Sequence, residues 1–167
     1  MKCKLLATLL CLCLLTGCVA NPIPGFGETK PTSVEITIKP LGFTDWYIRT
    51  NGYQENAEYP RVAVLNTTEE LANYYEANKD IYDLEARIQT GVGTEPDLGF
   101  GNVTPRYDEA FFAENYVVLI LLEEPSGSIR HKVASVSQFE DGRVGIAVER
   151  QVPEVGTDDM AKWHILV

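Results

Sequence analysis

Past residue 18 the chain has no cysteine; its four, Cys3, Cys11, Cys13 and Cys18, all lie at the N-terminus. The rest of the chain therefore has neither a disulfide framework nor a cysteine-ligated metal site. Histidine is almost as scarce, with only His131 and His164. Neither has a second His or Cys at ligand spacing, so the expected metals and cofactors are none. No Gly-x-Ser-x-Gly elbow surrounds any serine. The Gly-rich stretch from Gly91 to Asn102 is followed by no Gly-Lys-Ser/Thr, so it fails as a phosphate cradle. Basic residues are few, 14 against 24 acidic, giving a formal charge of −10. Nucleic acid is a poor partner for such a surface, because phosphate binding depends on clustered Lys and Arg.

The N-terminus carries a clear pattern. Lys2 and Lys4 precede an apolar run from Leu5 to Leu15, too short to span a bilayer, and the order of these regions reads as a secretory signal over residues 1–17. The run ends in Leu14-Leu-Thr-Gly-Cys18, which resembles the lipobox of bacterial lipoproteins, in which the cysteine is lipidated and becomes the mature N-terminus. That resemblance implies a membrane attachment through Cys18, placing the domain in the bacterial cell envelope, lipid-anchored and extracytoplasmic. Several acyl chains on one residue hold firmly where a single chain holds only marginally. With residues 1–17 removed, about 150 residues remain, with a formal charge of about −12 and enough chain for one domain.

Residues 18–32 hold Pro22, Pro24, Gly25, Gly27 and Pro31 and read as a spacer. From there to residue 167 the pattern predicts a single α+β domain, a mainly antiparallel sheet of five to seven strands with one main helix packed on one face. Ser33 to Lys39 alternates, with Val34, Ile36 and Ile38 inward, and is followed by short strands near Phe43–Arg49 and Arg61–Leu65. Asn66 or Thr67 caps a helix running to about Lys79, which Asp80 to Arg87 could prolong or follow with a second short helix. Asp108 caps a helical turn that buries Phe111 and Phe112. Tyr116 to Leu122 is a continuous apolar run suited to a central strand. Ile129–Glu140 and Arg143–Arg150 flank Asp141-Gly142, a strong hairpin signal, and the three runs predict an antiparallel meander. Lys162 to Val167 reads as a last strand, either pinned into the sheet or cut short.

Thr68–Leu71 opening a helix, Tyr107–Phe112 before the apolar run, Ser126–Lys132 and Gly156–Leu166 together resemble the C-terminal domain of the protease complex subunit PrcB, over residues 66–167. The family takes its name from a lipoprotein that assembles with and stabilises a surface protease, so the resemblance implies a protein-binding or complex-assembly role. Its motifs are structural, and no functional residue is carried over.

Among the residues themselves, the aromatic group Phe43, Trp46, Tyr47, Tyr53 and Tyr59 serves either the core or a recognition patch, with Trp46 and Tyr47 the candidate protein-contact residues. Asp158 and Asp159, with Glu154 and Asp97, read as solvated turns rather than a cation loop. Glu123 and Glu124, adjacent on a strand, point to opposite faces and do not form a catalytic pair. The expected function is a membrane-anchored, non-enzymatic module for a protein partner. The alternatives are a hydrolase or metal-dependent enzyme, marked by carboxylates converging on a histidine in a cleft, and a protease inhibitor, marked by a protruding ordered loop. The anchor is open to a direct test: Cys18→Ala should shift the protein from the membrane to the soluble fraction or leave the precursor uncleaved. A cleaved, unlipidated form that stays on membranes would refute it.

Overall fold

The computed structural model describes residues 38–52, 54–85 and 99–167. Among them, seven strands are β1 (Ile38–Pro40), β2 (Trp46–Thr50), β3 (Arg61–Leu65), β4 (Val117–Glu124), β5 (Arg130–Phe139), β6 (Val144–Gln151) and β7 (Ala161–Leu166). The helices are α1 (Thr68–Tyr82), α2 (Phe100–Val103) and α3 (Glu109–Glu114). The architecture is α+β with antiparallel pairing and one main helix. The seven strands form two sheets rather than one, and the described residues divide into two compact units.

The larger unit, residues 43–132 and 148–167, contains the sheet ordered β2-β7-β4-β3. β7 lies between β2 and β4, pairing Ile48 with His164 on one side and Leu121 with His164 on the other. All six of its residues are buried, as expected of a strand with neighbours on both edges. On one face Ile48, Leu119, Leu121 and Leu166 pack with Leu71 and Tyr82 of α1 and with Phe100 and Val103 of α2. Burying each such side chain contributes about 1.5–3 kcal/mol.

Local chemistry sets the helix ends. The Thr67 hydroxyl accepts the Glu70 N–H at 3.0 Å, and the Glu70 carboxylate accepts the Asn66 N–H at 2.6 Å. The helix runs past Lys79 to Tyr82 and is closed by Asp83, in the left-handed region with φ 51°, whose N–H donates to the Lys79 carbonyl. Asp108 caps α3 by accepting the Phe111 N–H at 2.8 Å, as its sequence predicts. The Gly-rich stretch ends earlier than expected. Gly99 precedes α2, and the two apolar residues of that turn, Phe100 and Val103, are fully buried; residues 91–98 lie outside the described part.

The smaller unit holds residues 133–147 and, from the chain's first part, described residues 38–42. Its sheet is ordered β1-β5-β6. Gly142, at φ 83°, donates its N–H to the Phe139 carbonyl at 2.9 Å, so the Asp-Gly hairpin falls where the sequence places it. The meander is a correction: β5 and β6 pair, but β4 pairs with β7 and β3. A continuous apolar strand such as β4 gains most between two equally apolar strands, and Val62–Leu65 and Trp163–Leu166 supply them. β1 is also shorter and wetter than expected. Ile38 is half exposed rather than inward, and Pro40 ends a sheet-edge strand where no N–H is needed from it; residues 33–37 lie outside the described part.

Gly52 sits where the chain leaving β2 crosses the end of α1. A Cβ there would overlap the Ile81 carbonyl and the Tyr82 Cα, both backbone, whereas one at Gly42 would meet nothing. Gly52→Ala should therefore cost about 3 kcal/mol in urea unfolding, with Gly42→Ala within about 0.5 kcal/mol of wild type. Equal losses would place the crossing elsewhere.

Candidate functional site

Trp46 and Tyr47 open β2, an edge strand, and both are half-buried. The Arg106 guanidinium lies 4.3 Å from the Trp46 ring centroid, and the Tyr47 hydroxyl donates to Asp45 at 2.5 Å. Trp46 also packs against the core, as does Tyr59, while Phe43 is exposed. Cys18, Tyr53 and Asp97 lie outside the described residues.

The two histidines have different surroundings. His164 is fully buried, with the rings of Tyr82, Tyr74 and Phe100 edge-on at 5.3, 6.1 and 6.2 Å. Its Nδ1 lies 3.4 Å from the Thr50 hydroxyl, and burial pushes its pKa down to about 3, so it stays neutral. His131 is on the buried alternation of β5, with Ile129 and Val133, and not on a wetter one. A bonded Glu124 side chain removes the cost of burying its polar edge.

That contact is one that sequence reasoning missed. His131 Nε2 and a Glu124 carboxylate oxygen are 2.8 Å apart, with both side chains buried. Arg150 donates to the same carboxylate through Nε at 2.9 and 3.0 Å and through a terminal nitrogen at 2.7 Å. Burial opposes ionisation of Glu124, but the Arg150 and His131 bonds outweigh it and hold the carboxyl below its ordinary range. Glu123 points the other way, to the buried Lys162 at 2.6 Å, as expected for neighbours on a strand. One carboxylate thus converges on His131, but Arg150 occupies both of its oxygens. The buried His131 Nδ1 has no hydrogen-bond partner among the described residues. This arrangement fastens the ends of β4, β5 and β6 together. No nucleophile is aligned with it by any described contact. No group of three or more His, Cys, Asp or Glu able to hold a metal occurs among the described residues.

From those strand ends spring two loops, residues 125–129 and 152–160, which are tied to each other. The Thr157 N–H donates to the hydroxyls of Ser126 and Ser128 at 3.1 and 2.9 Å. The Gly127 N–H donates to the Asp159 carbonyl at 2.8 Å and to its carboxylate at 3.1 Å. Arg49, largely buried, pairs with that same carboxylate, so Asp159, an exposed turn residue as its sequence predicts, is also a brace. A Cβ on Gly127 would collide with this pair. Two of the segments that carry the family resemblance, Ser126–Lys132 and Gly156–Leu166, meet here.

Although fastened from below, the 152–160 loop turns apolar side chains outward: Val155 is 84 % exposed, Val152 60 % and Met160 53 %. The loop thus combines three exposed apolar residues with hydrogen bonds that hold its backbone. In the sequence this loop shows only the solvated turns of Glu154, Asp158 and Asp159. Its signal was the spacing of Val152, Val155 and Met160 among Pro, Gly and Asp.

No protein-family model, curated protein or solved structure matches this chain.

His164 generates a pH test. Its folded pKa is depressed from 6.5 to about 3, so the unfolded chain binds the proton more tightly. The stability it confers is complete above about pH 6.5 and falls by about 1.4 kcal/mol per pH unit as pH drops toward 3. Unfolding free energies measured across that window should show this slope in wild type, superposed on that of the carboxylates. His164→Leu should lose that component, and an unchanged slope would contradict the assignment.

Proposed function

We propose that this chain is a membrane-anchored, non-enzymatic lipoprotein of the cell envelope that acts as a protein-binding or complex-assembly module, with the 152–160 loop as its contact surface. The observation that carries the reading is the pairing of exposure with restraint: Val152, Val155 and Met160 face outward on a loop bonded to Ser126, Ser128, Gly127 and Arg49. A preformed loop loses little conformational freedom on binding, so more of its contact energy appears as affinity. The lipobox-like Cys18 and the spacer after it support the same reading, because tethering raises the effective concentration of the domain for a partner at the same membrane. The resemblance to the PrcB C-terminal domain favours a surface protease as that partner.

The brace also favours a second reading, a protease inhibitor whose loop enters an active-site cleft. Slow cleavage within residues 152–160 by the bound protease would distinguish it. Glu124 and His131 support the enzyme reading least, since Arg150 already saturates the carboxylate.

Affinity purification of the lipidated protein from native membranes should recover a stoichiometric protein partner. The double variant Val152→Asp and Val155→Asp should lose at least about nine-tenths of that recovery with an unchanged melting temperature, as expected of central apolar contacts. Equal recovery by the variant would overturn the role given to the loop.

A further inference from the structure

Around the 152–160 loop three arginines are already engaged by other groups, while three exposed carboxylates form no ion pair among the described residues. Arg49 is spent on Asp159, Arg150 on Glu124, and Arg130 donates to the Gly127 carbonyl at 2.5 Å and lies 5.1 Å from the Trp163 ring centroid. Glu149, Glu154 and Asp158 are exposed, and no cation among the described residues forms an ion pair with them. The same strand ends that hold the loop thus consume its local positive charge. Val152, Val155 and Met160 are left projecting from an acidic rim, on a chain already at −10.

We propose that the surface this loop docks into is an apolar pocket on a protein, rimmed by Lys or Arg side chains that face Glu154 and Asp158. This rests on the reading of the loop as the contact surface and adds the chemistry of what receives it. Apolar contact at the centre with complementary charge at the rim is the usual division of labour in a protein interface, with the centre setting the dissociation rate and the rim the encounter rate. A lipid surface fits less well. Exposed Val and Met would enter a headgroup layer, but Glu149, Glu154 and Asp158 would meet anionic headgroups with like charge.

The test uses the full, lipidated chain in its native membranes with a photoreactive residue in place of Val155. Cross-linking is compared in the otherwise unaltered chain, in Glu154→Lys with Asp158→Lys, and in Val152→Asp. The expected result is a protein adduct whose yield drops about tenfold on charge reversal and falls steadily as salt is raised to about 0.5 M. A yield insensitive to charge reversal and salt but lost in Val152→Asp would overturn the cationic rim while leaving the loop as the contact surface. A yield unaffected by any of the changes would overturn both. Adducts to lipid, with the chain lacking residues 1–18 floating with phosphatidylcholine or phosphatidylglycerol vesicles, would replace the protein partner with the membrane. All of the substituted positions are exposed, so unchanged melting curves check that folding is not the cause.

Discussion

The placement of β7 between β2 and β4 is the constraint on which the larger unit depends. A strand with partners on both edges and packing on both faces must be apolar or must satisfy whatever polarity it carries, and β7 carries Lys162 and His164. Each is accommodated differently. Lys162 bonds to Glu123 at 2.6 Å, with its Nζ 5.7 Å from the Tyr59 ring centroid, whereas His164 lies among aromatic rings, where burial pushes its pKa down to about 3. β4 answers both choices, since Leu121 lies opposite His164 and Glu123 opposite Lys162. Two alternating polar positions of one strand are thus met by two alternating positions of its neighbour on the same face.

The opposite alternation leads to the loops. Glu124 follows Glu123 by one residue and so faces away from Lys162, toward His131 and Arg150. Those three residues stand at the ends of β4, β5 and β6, and the segments leaving them are laced by Ser126, Ser128, Thr157 and Asp159. Interior charge pairing is therefore continuous with surface loop geometry, and the exposed Val155 owes its fixed position to groups several residues away.

Much of this was legible in the residues. Helix α1 could be read from Thr67 and Glu70, α3 from Asp108, the hairpin from Asp141-Gly142 and the central strand from its unbroken apolar run, because each is decided by neighbours in the chain. Pairing partners were not legible in the same way. Nothing local tells Tyr116 to Leu122 that its neighbour is 40 residues downstream rather than across the next turn. The Glu124–His131–Arg150 contact was hidden for the same reason, since it joins three strand ends. The burial of His131 was not legible because the alternation of Ile129–Glu140 has no fully apolar face. The loop was missed because its three apolar residues are interspersed with three acidic ones, Glu154, Asp158 and Asp159, and only Arg49, far away in sequence, shows that Asp159 is held.

A strand in the middle of a sheet that comes late in the chain has a consequence for biogenesis. Thr50 and His164, whose side chains meet at 3.4 Å across β2 and β7, are 114 residues apart. Helix α1 can form as soon as it is made, but β2 and β4 have no common neighbour until residues 161–166 have emerged, and such long-range closure is slow. Until that strand arrives, the edges of β2 and β4 that it will cover have no partner, and unpaired strand edges are where chains associate wrongly.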